Sequence, residues 1–154
     1  MRITVLGAGS WGTTVASVLA RRDHESLIWA RSPATADEIN AKHSNERYLE
    51  GFQLPGRLRA TAELAEAAAH AELLVVGVPT GAFRATLERV RPDLHPWIPV
   101  VSLSKGLERD SLLRMTEVIK EVLPGNQRSW RASSPRARST RTTTQATQVS
   151  WKSR

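Results

Sequence analysis

Residues 1–12 read MRITVLGAGSWG, a short apolar run broken by three glycines. Ile3-Thr4-Val5-Leu6 has the look of a buried strand, and Thr13 to Arg22 spaces its apolar residues as a helix does. Strand, glycine turn and helix in that order open a dinucleotide-binding βαβ unit. Each glycine has its own task. Gly7 lets the chain leave the strand in a tight turn, where a side chain would clash. Gly9 leaves room for a pyrophosphate against the backbone, and Gly12 lets the helix approach the strand. The helix then presents unpaired N–H groups and its positive dipole end to the phosphates.

The chain beyond the turn alternates strands and helices. The first helix is expected from Ser10 to Arg22, with Ser10 as its N-cap and Trp11, Val15, Val18 and Leu19 on or near one face. Asp23 to Ser26 reads as a polar turn, and Leu27 to Ala30 as a second strand ending at Arg31. A dinucleotide fingerprint normally carries an acid there to hold the ribose 2′-hydroxyl of NAD, whereas an arginine accepts the 2′-phosphate of NADP. Arg31-Ser32 therefore leans towards NADP or towards acceptance of both; a solvent-facing arginine is the plainer alternative.

Pro33 to Lys42 is expected to form a short helix, followed by an irregular loop through Asn45, Tyr48, Gly51 and Pro55 into a strand at Leu58–Thr61. Thr61 is suited to cap a helix over Ala62–Ala71. Leu73 to Val78 is continuous and β-branched, as in a strand buried on both faces. Pro79 stops it and Thr80 starts a helix over Gly81–Arg91. Trp97 to Leu103 supplies another buried strand, and Asp110 begins an amphipathic helix through Leu112, Leu113, Met115, Val118, Ile119 and Val122, closed by Pro124-Gly125.

This alternation predicts an α/β fold, a Rossmann-like doubly wound parallel sheet. Ligands in such sheets bind beyond the carboxyl ends of the strands, which here carry Gly7–Gly12, Arg31, Val78-Pro79-Thr80 and Ser104-Lys105. Lys105 is the second strand-end cation, and a plain surface lysine is its bland alternative.

GAGSWGTTVA, the strand end IWAR, the loop NERYLEGFQLP, then VVGVP and SLSKGLE follow one another in an order that resembles the bacterial-type NAD(P)-dependent glycerol-3-phosphate dehydrogenases. The resemblance covers about residues 1–125. It implies that Ser10, Trp11, Arg31 and Ser32 contact NADP or NAD, that Tyr48 lines the cofactor site, and that Lys105 sits between nicotinamide and substrate. It implies hydride transfer between nicotinamide C4 and C2 of glycerol 3-phosphate, with dihydroxyacetone phosphate as the other partner, in phospholipid precursor synthesis. A homodimer is expected of the full-length family protein. Hydroxyacid and ketopantoate-type reductases share this architecture and are the nearest alternative.

The net charge of +7 suggests nucleic acid until it is located. Residues 1–125 carry 15 basic and 15 acidic side chains, whereas residues 126–154 carry 7 basic and no acidic ones. That last segment is rich in Arg, Ser and Thr and lacks periodicity, so it is expected to be disordered. A basic arm for nucleic acid or acidic lipid competes with an out-of-frame tail. The tail reading is favoured because the pattern breaks inside a fold unit with no linker. On that reading the domain is incomplete, nucleic acid is not a partner, and the general-base lysine of the family lies outside this chain. The expected consequence is little or no turnover.

Other signals are weak. The chain has no cysteine, so thiolate metal sites and disulfides are excluded. His24, His43, His70 and His95 lack metal-ligand spacing. Asp37-Glu38 and Asp110 are expected at helix starts, where acids offset the dipole. No apolar run approaches the ~20 residues of a membrane span, and an N-terminal strand leaves no room for a signal peptide, so a cytoplasmic protein is expected.

Overall fold

The computed structural model describes residues 1–126. Five strands, β1 (Arg2–Leu6), β2 (Glu25–Trp29), β3 (Arg59–Thr61), β4 (Leu73–Val76) and β5 (Val100–Ser102), form one parallel sheet in the order β3-β2-β1-β4-β5. The five helices are α1 (Ser10–Arg21), α2 (Pro33–Lys42), α3 (Leu64–His70), α4 (Thr80–Val90) and α5 (Met115–Val122). The doubly wound α/β arrangement is therefore as the alternation predicts. The pleat sends alternate strand residues to opposite faces. Ile3, Val5, Ile28 and Val75 pack on one face with Ala16, Ala20 and Ile39 from α1 and α2. Leu6, Trp29, Leu74 and Val76 pack on the other with Ala67, Phe83, Leu87 and Val118 from α3, α4 and α5.

The expected face of α1 turns inward only in part: Val15 and Leu19 pack against the core half-buried, but Trp11 and Val18 do not. Gly12, Thr13, Ala16, Ser17 and Ala20 face the sheet, while Trp11 is 62% exposed and Val18 is also exposed. The cause is the close approach at Gly12, where an added Cβ would stand 1.9 Å from the Gly7 carbonyl oxygen, so small residues lie squarely against the sheet. Ser10 is the first helical residue rather than the cap, a position held by Gly9 with extended backbone. Thr61 ends β3 instead of capping α3 directly, although its hydroxyl accepts the Glu63 amide. Strand β2 begins two residues earlier than expected, because Glu25 and Ser26 already pair with Arg2 and Ile3.

The larger corrections fall late in the chain. β5 spans three residues and is an edge strand rather than a buried one, with Val101 45% exposed. α5 begins at Met115, five residues after Asp110, so Asp110 does not meet a helix dipole. The intervening chain is a turn in which Leu112 adopts φ +56° and points outward, and Leu107 bridges to Arg114. Arg114 and Glu117 form the capping box that starts the helix. Asp37 and Glu38 lie past the first turn of α2, and Glu38 instead accepts the Ser44 hydroxyl and the Glu46 amide. The expected disordered, out-of-frame tail over 126–154 lies outside the described residues but for Asn126. Among the described residues no helix is long and apolar enough to cross a membrane.

Candidate functional site

The glycine turn is built by two close approaches. Gly7 adopts φ +110°, and a Cβ there would come within 2.9 Å of the Gly77 carbonyl oxygen. A Cβ on Gly12 would lie 1.9 Å from the Gly7 carbonyl oxygen. Gly77, just past β4, supplies the carbonyl that Gly7 meets, and a Cβ on Gly77 itself would make only ordinary contact with the Gly12 Cα at 3.6 Å. In the sequence Gly77 is marked only as a glycine closing a β-branched run.

Gly9 is different. A Cβ built on it meets nothing within 4 Å, so its lack of a side chain serves no neighbour in the protein. It leaves an open cradle in front of the N-terminus of α1, whose first N–H groups have no intrahelical partner. An anion brought to that cradle meets oriented donors and the positive helix end. The chain around Gly9 thus fits a dinucleotide pyrophosphate.

The other expected residues lie along the same carboxyl edge of the sheet. Arg31 and Ser32 follow β2, next to β1, and Ser32 is the N-cap of α2. Arg31 is exposed and has no ion-pair partner among the described residues. Lys105 follows β5, two strands from β1 on the opposite side, and is exposed. At about 4.8 Å per strand, Arg31 and Lys105 leave strands roughly 14 Å apart, with the glycine turn between them. That spread suits a long ligand laid across the edge.

Tyr48 is brought to the turn by its loop. The Ser10 hydroxyl donates to the Tyr48 carbonyl oxygen at 2.9 Å, and the Arg47 guanidinium lies 5.4 Å from the Tyr48 ring centre. The loop holds no helix or strand, as expected, and is fixed instead by its own hydrogen bonds. The Asn45 carbonyl accepts the Tyr48 and Leu49 amides, and Glu46 accepts the Gly51 amide. The Asn45 side chain, wholly buried, donates to the Ala8 carbonyl at 3.0 Å and the Thr13 hydroxyl at 2.8 Å. Nothing in the sequence around Asn45 announces this role, since a loop asparagine carries no local sign of burial.

Lys105 is held from both sides. The Ser104 hydroxyl donates to the Val78 carbonyl, and Gly106 makes a turn at φ +104°. Arg84 of α4 grips Glu108 through two bonds of 2.9 and 2.8 Å and also reaches Glu121 at 2.8 Å. The paired guanidinium, helped by the Ser111 hydroxyl, holds the Glu108 carboxyl down at about 2. Since the folded value lies below the ordinary 4.5, the clamp adds stability above that value and loses it as pH falls towards 2. A melting-temperature curve is therefore expected to fall more steeply between pH 4.5 and 2 for the unaltered chain than for Glu108→Gln. Glu117, also held at about 2 by Arg114, falls equally in both proteins, so the difference isolates Glu108. Parallel curves would show that the clamp adds nothing.

No cluster of three or more metal-ligating side chains exists among the described residues. His70 bonds the Thr4 hydroxyl at 3.0 Å at the opposite end of the sheet, and burial lowers its pKa.

Residues 2–133 match the family described as the NAD-dependent glycerol-3-phosphate dehydrogenase N-terminus. A protein of Sphingopyxis alaskensis named glycerol-3-phosphate dehydrogenase (NAD(P)+) 2 is 49% identical over 126 residues, covering 82% of this chain and 38% of that protein. One of Mycobacterium avium, named glycerol-3-phosphate dehydrogenase (NAD(P)+), is 51% identical over 126 residues, covering 81% and 37%. Among solved structures, glycerol-3-phosphate dehydrogenase from Coxiella burnetii superposes with a TM-score of 0.73 at 33% identity, covering 79% of this chain and 37% of that one. The chain thus spans less than two fifths of the length of the relatives it matches.

Proposed function

This chain belongs to the NAD-dependent glycerol-3-phosphate dehydrogenase family, and from that premise we propose that residues 1–125 are the nucleotide-binding domain of such an enzyme. The observation that carries this reading is the open cradle at Gly9, the one glycine of the turn whose missing side chain serves no neighbour. Gly7, Gly9 and Gly12 shape the pyrophosphate site. Ser10 and Trp11 lie at the start of α1 beside it, and Tyr48 closes it from the loop. Arg31 and Ser32 take the adenosine ribose, with the Arg31 guanidinium suited to a 2′-phosphate, so that NADP is preferred over NAD.

When bound, the nicotinamide supplies the hydride exchanged with C2 of glycerol 3-phosphate or dihydroxyacetone phosphate. Lys105 provides a cation where the reacting oxygen gains charge and where a phosphate ester must be held. The enzyme works in the cytoplasm in glycerophospholipid precursor synthesis, as a homodimer at full family length, with no membrane or nucleic-acid partner.

The test is titration of the 154-residue chain with NADPH and NADH, followed by nicotinamide fluorescence. Saturable binding with NADPH preferred is expected, and Arg31→Glu should erase that preference by about tenfold through loss of a charge-assisted contact. Assayed as these 154 residues, the chain should bind nucleotide without reducing dihydroxyacetone phosphate, because the described residues offer Lys105 as their sole proposed substrate contact. Absence of nucleotide binding, or steady turnover, would refute the respective half of the reading.

A further inference from the structure

We propose that Asn45 is a positioning residue that aims the glycine turn at the nucleotide, a role that rests on the nucleotide-binding reading above. Its side-chain amide is wholly buried beneath the turn. The Ala8 carbonyl can only accept a hydrogen bond, so the amide nitrogen must face it, and the second N–H goes to the Thr13 hydroxyl. Asn45 Oδ1 is buried with no partner among the described residues. An orphaned buried carbonyl is unfavourable. The amide is therefore held in place by its two donor bonds.

Those donors act on the turn itself. The Ala8–Gly9 peptide is trans and planar, so its carbonyl and its N–H point in opposite directions. Drawing the Ala8 oxygen inward to Asn45 turns the Gly9 N–H away from the interior, in a residue whose Cα also borders open space. The bond to Thr13 fixes the first turn of α1 to the same amide, and Thr13 N–H in turn donates to the Gly9 carbonyl at 2.9 Å. One buried side chain thus sets the direction of the donor in the cradle and the start of the helix behind it. The backbone of the same residue closes the loop carrying Tyr48, whose carbonyl receives the Ser10 hydroxyl. Asn45 therefore ties the two walls of the cradle into one unit.

Asn45→Asp separates the donor from the shape. An ionised carboxylate facing the Ala8 oxygen repels it, whereas the protonated acid can donate to it, and burial raises the pKa of such a carboxyl. NADPH binding to the full 154-residue chain is measured at pH 8 and pH 5.5, on protein shown to be folded by circular dichroism. The expected result is about tenfold weaker binding of N45D at pH 8, the scale of a lost buried hydrogen bond, with most of the loss restored at pH 5.5. The ratio of N45D to unaltered affinity is the readout, so any pH dependence common to both cancels. Unchanged binding at pH 8 overturns the proposal, and so does equal weakening at both pH values, which would mean a lost shape rather than a lost donor. If N45D does not fold, Thr13→Val removes one acceptor at nearly constant volume. A loss of about threefold or more in NADPH affinity at an unchanged unfolding midpoint then supports the proposal, and an unchanged affinity overturns it. Failure of the unaltered chain to bind NADPH is a separate result and overturns the nucleotide reading itself.

Discussion

Gly12→Ala is expected to cost the fold about 3 kcal/mol or more and to lower the unfolding midpoint by about 10 °C or more, because the added carbon falls on fixed backbone. A Cβ there would stand 1.9 Å from the Gly7 carbonyl oxygen, well inside van der Waals contact. Flexible side chains can yield to such an intrusion, but the Gly7 oxygen belongs to a turn fastened on both sides. Gly7 N–H donates to the Trp29 carbonyl of β2 at 3.0 Å, and Gly77 N–H donates to the Leu6 carbonyl at 2.8 Å. Relief therefore requires α1 to lift away from β1. That movement loosens the packing of Ala16 and Ala20 against Ile3, Val5 and Ile28 across the whole helix. Urea unfolding of the two proteins measures the difference; midpoints within about a degree of each other in a thermal scan would show that the helix lifts without penalty.

Gly9→Ala should do the reverse, leaving the fold intact while weakening NADPH binding by about a hundredfold. Its Cβ meets nothing within 4 Å, and its φ of −74° suits any L-residue. Alanine there removes freedom from the unfolded chain but is a poorer N-cap than glycine, so the two effects offset and the unfolding midpoint is expected to hold or fall slightly. What the methyl group occupies is the cradle, the space into which a pyrophosphate would have to come to reach the N–H groups of α1. Fluorescence titration beside a thermal scan tests both halves at once. Equal affinity in the two proteins would mean that the nucleotide does not use this opening. Two substitutions of the same chemistry, three residues apart, are thus expected to differ in kind: the one at Gly12 costs the fold, the one at Gly9 costs binding at a nearly unchanged fold.

The sequence displayed those features that depend on near neighbours. The run from β1 through the glycine turn into α1 could be placed within a residue, and α2 was bounded at Pro33 and Lys42 as observed, because a proline start and a polar end are local signals. The carboxyl-edge location of Arg31 and Lys105 followed from the parallel topology alone. What could not be read depended on partners far along the chain. Leu112 and Leu113 continue the apolar period of α5, yet the turn before Met115 is set by the Leu107–Arg114 bridge and by the grip of Arg84 on Glu108, 24 residues away. The inward face of α1 was misjudged for a related reason. Hydrophobic period ranks large residues first, whereas the close approach at Gly12 sets small residues squarely on the sheet and leaves Val15 and Leu19 half-buried at the margin. Asn45 was hidden twice over, as a polar residue in a loop whose partners, Ala8 and Thr13, lie more than thirty positions earlier.

The order of the strands also bears on how the molecule is made. β1 leaves the ribosome first but occupies the centre of the sheet, and its neighbours enter on very different schedules. β2 follows within a single helix, whereas β4 pairs Ile3 with Leu73, so roughly forty further residues must be synthesised after β2 is complete. At about 5–20 residues per second, the open side of β1 waits about two to eight seconds for its partner. Throughout that interval Ile3, Val5 and Leu6 border an unpaired ladder, the kind of edge that recruits foreign strands. Translation speed between Trp29 and Leu73, and any factor that shields a nascent sheet edge, therefore bear directly on how much of this protein reaches its native sheet.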